Sequence, residues 1–178
     1  MTSLVDKILG VHRMLDECGV SHAFGGALAL AFHVGEPRAT RDIDVNVFLP
    51  AINVDRVAQA LTKCVAFSDE QRDAARADDQ VRVFWDDTPI DVFFNTHKFH
   101  DDALKHIERH EFAGAHIPII GADHLAVFKA FFNRTKDWAD IEEMVSVGSL
   151  DNQRVAGWLA GLLGLADDRV GRFIALTS

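Results

Sequence analysis

The chain has 178 residues, 48% hydrophobic and 25% charged, with a formal net charge of −9. Those fractions suit a folded domain with a proper core and exclude wholesale disorder, and no apolar run reaches the roughly 18 residues that cross a bilayer. Two cysteines, Cys18 and Cys64, are too few for a disulfide framework or a thiolate metal site, which fits a cytoplasmic protein, and the lack of tyrosine removes any chemistry on that side chain.

In chain order, Leu4, Ile8, Val11 and Leu15 stand at helical spacing over residues 3–18, with Gly19 as a stop. Asp6, Lys7, Arg13 and Asp16 interrupt that apolar pattern, so the segment does not read as a signal peptide. A short apolar stretch, Ala23–Phe24, leads through Gly25–Gly26 into helix-like ALALAFHV, and DIDVNVFL (42–49) alternates as a strand. Residues 53–64 read as an amphipathic helix with Val54, Val57, Leu61 and Cys64 inward; 68–80 read as an exposed loop or loose helix. VRVFW and PIDVFFN flank Asp86–Asp87–Thr88 as a hairpin, 99–112 read as a helix, and HIPII (116–120) as a strand. From Asp123 onward the pattern is helical. The expected architecture is a small mixed α/β core over residues 1–120 and a helical C-terminal part over 121–178, together one compact unit.

The acidic excess is concentrated: residues 42–91 hold 11 Asp/Glu against 5 Lys/Arg. On a strand Asp42 and Asp44 share a face while Ile43 and Val45 turn to the core. Parallel carboxylates repel unless a cation lies between them, and hard oxygen ligands favour Mg²⁺ or Mn²⁺. Two solvated aspartates on an exposed strand would carry the same letters. Asp91 changes the balance, because a carboxylate flanked by Ile90 and Val92 in an apolar strand needs a partner. A neighbouring strand that presents Asp91 beside Asp42 and Asp44 makes a three-carboxylate metal set. Gly25–Gly26 at a strand-to-helix turn adds a place where backbone N–H groups can meet a phosphate.

Gly25-Gly26, Asp42-Ile43-Asp44 and Asp91, in that order, resemble the DNA polymerase β-like nucleotidyltransferase superfamily. The resemblance implies an α+β fold: a small mixed β-sheet nucleotidyltransferase core with flanking helices and a helical C-terminal part that completes the active site. Lys129 and Arg134, followed by Asp137-Trp138-Ala139-Asp140, resemble the third and fourth motifs of the AbiEii/MenT toxin nucleotidyltransferases. The chain departs from these families in a fifteen-residue gap between Gly26 and Asp42, in Gly26 where many members carry Ser, and in placing Lys129 five residues before Arg134.

The resemblance implies Mg²⁺ (or Mn²⁺) as cofactor and a nucleoside triphosphate as substrate. Asp42 and Asp44 are then metal ligands, with Asp91 a third ligand or the base for the attacking hydroxyl. Gly25, Gly26 and Lys129 hold phosphates, Arg38 and Arg134 are supporting cations, Thr40 belongs to the loop before Asp42, and Asp137 and Asp140 share a helix face, Asp140 orienting Lys129 or contacting the base. Lys129 also has a plainer reading, a snorkelling lysine, and Asp137–Asp140 another, a helix N-terminal acid. His106 and His110, four apart on the expected helix, offer half a metal site without a third ligand. Phe131–Phe132 read as core, and Trp138 as the aromatic to test for base stacking.

The leading expectation is a toxin that adds nucleotides to the 3′ end of tRNA, with a cognate antitoxin as partner and no membrane. Antibiotic adenylyltransferases resemble the chain equally through Gly25-Gly26 and Arg38-x-Thr40-x-Asp42-Ile43-Asp44, so a small-molecule acceptor is the alternative, and a protein acceptor a third. The acidic total disfavours a long basic groove for nucleic acid, leaving at most a local contact with an RNA end.

Overall fold

The computed structural model describes residues 2–35 and 40–178. The helical stripe of the N-terminus becomes α1 (Leu4–Glu17), capped by the Ser3 side chain, and it buries Ile8, Val11 and Leu15. Next come β1 (His22–Phe24), α2 (Gly26–Val34), β2 (Ile43–Val47), a 3₁₀ turn at Ala51–Asn53 and α3 (Val54–Leu61). They are followed by α4 (Asp69–Asp78), β3 (Gln80–Trp85), β4 (Thr88–Phe94), α5 (Lys98–Lys105), β5 (Glu108–Phe112) and β6 (Ala115–Ile119). The remainder is helical: α6 (Ala122–Phe132), α7 (Thr135–Ser146), α8 (Asn152–Leu163) and α9 (Asp168–Thr177). No helix among the described residues is long and apolar enough to cross a membrane.

The chain divides into two compact units, Met1–Leu28 with Ala39–Ile120, and Ala29–Arg38 with Gly121–Ser178. The first holds a six-stranded mixed sheet in the order β3-β4-β2-β1-β6-β5. β2 and β4 run parallel, as do β1 and β6; the other pairs are antiparallel. Period-two alternation sends Ile43, Val45, Val83, Ile90 and Val92 into the core, each 2% exposed or less. α1, α3 and α4 pack with one another and with the sheet on that side. The opposite face takes Asp44, Arg82, Phe84 and Asp91.

The β3–β4 hairpin is fixed by more than its turn. Asp86 lies in the left-handed region at φ 53°, and Trp85 pairs with Thr88. Lys7 of α1, 1% exposed, donates to the Trp85 carbonyl at 2.9 Å and the Thr88 hydroxyl at 3.0 Å. Its ammonium lies 3.3 Å from carboxylates of Asp86 and Asp87, so this buried charge is paired and hydrogen-bonded. The Trp85 ring lies over Gly10, where an added Cβ would come within 2.5 Å of it.

Several expectations need correction. The helix expected over 99–112 ends at Lys105, and Glu108–Phe112 form an edge strand joined to β6 through Ala113–Gly114, both at positive φ. That strand is exposed or half-buried throughout, so it lacks the apolar alternation that marks a strand. His106 therefore caps α5 while His110 lies in β5 beside Glu108, and the two do not share a helix face. Of the two readings for 68–80 the helix holds, over Asp69–Asp78 only: a capping box between Ser68 and Gln71 opens it, Arg72 and Arg76 both pair with Asp55 of α3, and Gln80 begins β3. β2 begins at Ile43, so Asp42 precedes the strand, and Cys64 lies beyond α3.

In the helical unit α6 packs on α7 and α8, and α9 on α7 and α8. Its core includes Leu125, Val127, Trp138, Ile141, Met144, Val155, Leu159 and Phe173. Phe131 and Phe132 are 55% and 42% exposed rather than core. Trp138 is 1% exposed: its ring N–H donates to Asn133 Oδ1 at 2.7 Å and Arg172 stacks on it at 4.2 Å, so no base can stack there.

Candidate active site

The sheet unit assembles the carboxylates from two parallel strands. Asp44 on β2 and Asp91 on β4 are register partners, so their side chains leave the same face about 4.8 Å apart along the hydrogen-bonding direction. Both are half-buried. Asp42, ahead of β2, is held by a local hydrogen bond: the Thr40 hydroxyl donates to its Oδ1 at 2.5 Å. Thr40 thereby positions a carboxylate.

The glycine turn is tied directly to Asp44. The Gly25 N–H donates to the Asp44 carbonyl at 2.9 Å, fixing the start of α2 beside β2. Gly26 has φ +55°, and a Cβ there would lie 1.8 Å from Asp44 Oδ2. The side-chain-free residue is therefore required twice, by its backbone angle and by the carboxylate that fills the space. Many members of the resembling families carry Ser here, and in this chain that side chain would collide with Asp44.

Arg82 is the residue that motif reading missed. It is the cross-strand partner of Asp91 in the β3–β4 hairpin. Its Nε and Nη2 donate to Asp91 Oδ1 and Oδ2 at 2.7 and 2.6 Å, a bidentate fork. Those bonds, then the charge of Asp91, and more weakly Asp42 and Asp44, raise the guanidinium pKa above its ordinary value. The hairpin register gave the signal: a two-residue loop between Trp85 and Thr88 places residue 82 opposite residue 91.

The remaining motif residues lie in the helical unit. Lys129 Nζ donates to Asp140 Oδ2 at 2.7 Å, with residue exposures of 6% and 5%. Asp137, 1% exposed, accepts from the Arg134 backbone N–H at 3.1 Å. The Arg134 guanidinium also grips it, with Nε and Nη2 at 2.6 and 3.0 Å. Asp137 thus closes the N-terminus of α7, as an acid in a first helical turn does. Arg38 lies outside the described residues.

Asp42, Asp44 and Asp91 offer oxygen donors alone, and the one positive charge shown on them is the Arg82 guanidinium at Asp91. The donor set therefore fits a hard divalent ion such as Mg²⁺ or Mn²⁺.

Solved structures share this architecture. The solution structure of the antibiotic-resistance factor ANT(2'')-Ia matches with a TM-score of 0.64 at 15% identity, covering 97% of this chain and 94% of that one. A crystal structure of ANT(2'')-Ia in complex with adenylyl-2''-tobramycin matches at 0.60 and 14%, covering 98% of both chains. The lincosamide antibiotic adenylyltransferase LnuA, lincomycin-bound, matches at 0.54 and 15%, covering 79% of this chain and 96% of that one. The fold is that of a nucleotidyltransferase. No family model matches the chain, and no curated protein sequence does.

Proposed function

We propose that the protein transfers a nucleoside monophosphate from a nucleoside triphosphate to an acceptor hydroxyl. The observation that carries this is the register pairing of Asp44 with Asp91, beside a glycine turn where a Cβ on Gly26 would meet the Asp44 carboxylate. Asp42 and Asp44 are assigned to a divalent ion, and Gly25 and Gly26 to the phosphates. When bound, the ion acidifies the acceptor hydroxyl and neutralises charge on the leaving pyrophosphate. The acceptor oxygen bonds to the α-phosphorus as the bond to the bridging oxygen breaks, and pyrophosphate leaves. The hydroxyl proton passes to a carboxylate, for which Asp91 is the candidate. Lys129, held by Asp140, is assigned to phosphate, with Arg134 as a supporting cation.

A small amine-bearing acceptor is the reading favoured by charge. A net charge of −9 repels a polyanion and attracts a cation, and the matched ANT(2'')-Ia and LnuA structures hold adenylyl-2''-tobramycin and lincomycin. The second reading is the 3′ end of tRNA, as a toxin with an antitoxin partner. It draws support from the pairing of the toxin-motif residues, Lys129 with Asp140 and Arg134 with Asp137.

One experiment separates them. The protein is incubated with each α-labelled nucleoside triphosphate, Mg²⁺ and total tRNA, aminoglycosides, lincosamides or cell protein. Label on an antibiotic is expected; label on tRNA alone establishes the second reading and overturns the first. Label on no acceptor overturns nucleotidyl transfer.

A further inference from the structure

The alternation of β3 buries Val81 and Val83 and turns Arg82 and Phe84 away from the core. Phe84 is 50% exposed, and among the described residues it is the one strand position where a large apolar side chain is exposed. A single exposed apolar residue is ordinary, so its neighbours have to decide whether this one matters. Its cross-strand partner is the half-buried Pro89, and two residues along the same face stands the Arg82–Asp91 pair. Pro89 precedes Ile90, the register partner of Ile43, and Asp42 precedes Ile43. Ring, proline and Asp42 therefore follow one another across the turn end of the sheet, next to the row of Arg82, Asp91 and Asp44.

Strand order gives the site two sides. Along β3-β4-β2-β1 the face carries Phe84 and Arg82, then Asp91, then Asp44, then the glycine turn that follows β1 and is tied to Asp44. With phosphates at Gly25–Gly26 and the reacting hydroxyl at Asp91, the nucleotide takes the β1 side. The acceptor then reaches Asp91 from the β3 side, where Phe84 is the exposed ring. We propose that Phe84 is the platform on which the acceptor stacks, and that the acceptor it fits is an aminated sugar or cyclitol ring. The C–H face of such a ring packs on an aromatic face, and its ammonium groups are drawn to the π-cloud. The hairpin end adds attraction: Asp86 and Asp87, with side chains 60% and 79% exposed, share the single Lys7 ammonium at 3.3 Å each, so the turn keeps negative charge. A polyanion is repelled there, and a neutral ring gains only the stack. This deepens the nucleotidyl-transfer reading and rests on it.

Isothermal titration calorimetry on the full-length protein, nucleotide-free and in Mg²⁺ buffer, reads the platform without any turnover. The probes are tobramycin, whose rings are aminated, maltotriose, whose rings are neutral, and spermine, a polyamine without a ring. The native protein should bind tobramycin more tightly than either of the others. Phe84→Ala should weaken tobramycin binding about tenfold and leave spermine within about twofold. Phe84→Trp, which keeps an aromatic face, should hold tobramycin within about twofold of the native protein. A thermal melt of each variant checks that this exposed position leaves the fold intact. Native protein that binds tobramycin no better than spermine, or Phe84→Ala with native tobramycin affinity, overturns the proposal. So does a Phe84→Ala loss that falls instead on the α,β-methylene analogue of the accepted nucleotide, which makes the ring a base platform. The underlying reading fails separately: native protein that labels no acceptor from α-labelled nucleoside triphosphate is no nucleotidyltransferase, whatever Phe84→Ala does to tobramycin binding.

Discussion

Two ion pairs, one in each unit, show how differently the same chemistry can be used. Arg82–Asp91 is a bidentate pair whose arginine side chain is 55% exposed, on a sheet face that also carries Asp44. Lys129–Asp140 is a single 2.7 Å contact with both side chains under a tenth exposed. Water screens the first pair, so its formation contributes little to stability. The second has given up hydration on both sides, so removing either member leaves the other charge buried. Exposure, more than bond length, separates a pair that is cheap to cut from one that is costly.

Breaking the buried pair gives the largest expected effect. Lys129→Met alone should cost about 3–5 kcal/mol in urea denaturation, because the Asp140 charge is left buried. Lys129→Met with Asp140→Leu should recover most of that loss, whereas Arg82→Met should cost under about 1 kcal/mol. If Lys129 also serves a phosphate, the double variant regains stability and stays inactive in transfer. A double variant with native transfer would confine the pair to folding.

Next in size is a pH effect inside the sheet unit. His22, 5% exposed on β1, has its pKa pushed down to about 4, chiefly by burial. Its Nδ1 faces the Val20 carbonyl at 2.8 Å and its Nε2 faces His12 Nδ1 at 2.9 Å. The unfolded chain protonates this group near pH 6.5, before the folded one does. Stability is therefore full above that pH and falls as pH drops toward 4, by about 3 kcal/mol. Urea melts at pH 7.5 and 4.5 should show this loss in the native protein and a smaller one in His22→Asn. Equal losses would mean that His22 is not held neutral. Smaller again, Gly26→Ala should cost about 1–2 kcal/mol through its positive φ. It should also weaken Mn²⁺ binding by displacing Asp44, whereas Gly148→Ala, at φ 72° with nothing near its Cβ, should cost stability alone.

The placement of several candidate residues was legible from spacing. Gly25-Gly26, Asp42-Ile43-Asp44 and the oddly placed Asp91 each break a local rule, and the sheet puts Asp44 and Asp91 in register. Arg82 was less visible because an alternating charged residue on a strand looks solvated until its cross-strand partner is counted off from the turn. β5 was misread for the opposite reason: an edge strand with polar side chains on both faces has no period to detect. α4 was under-read through its polarity, although Ser68 and Gln71 spell a capping box. Phe131 and Phe132 show that apolar letters on a helix do not guarantee burial when the helix ends there, with Asn133 at φ 57°.

The central claim is that the paired carboxylates carry the chemistry and do little for the fold. Asp44→Asn, assayed with α-labelled nucleoside triphosphate and the accepted acceptor alongside a thermal melt, tests it most directly. Removing a negative charge beside Asp91 should leave the melting temperature unchanged or higher, while transfer falls by about a thousandfold or more. Native transfer rates in that variant, or transfer lost only because the protein unfolds, would contradict the account.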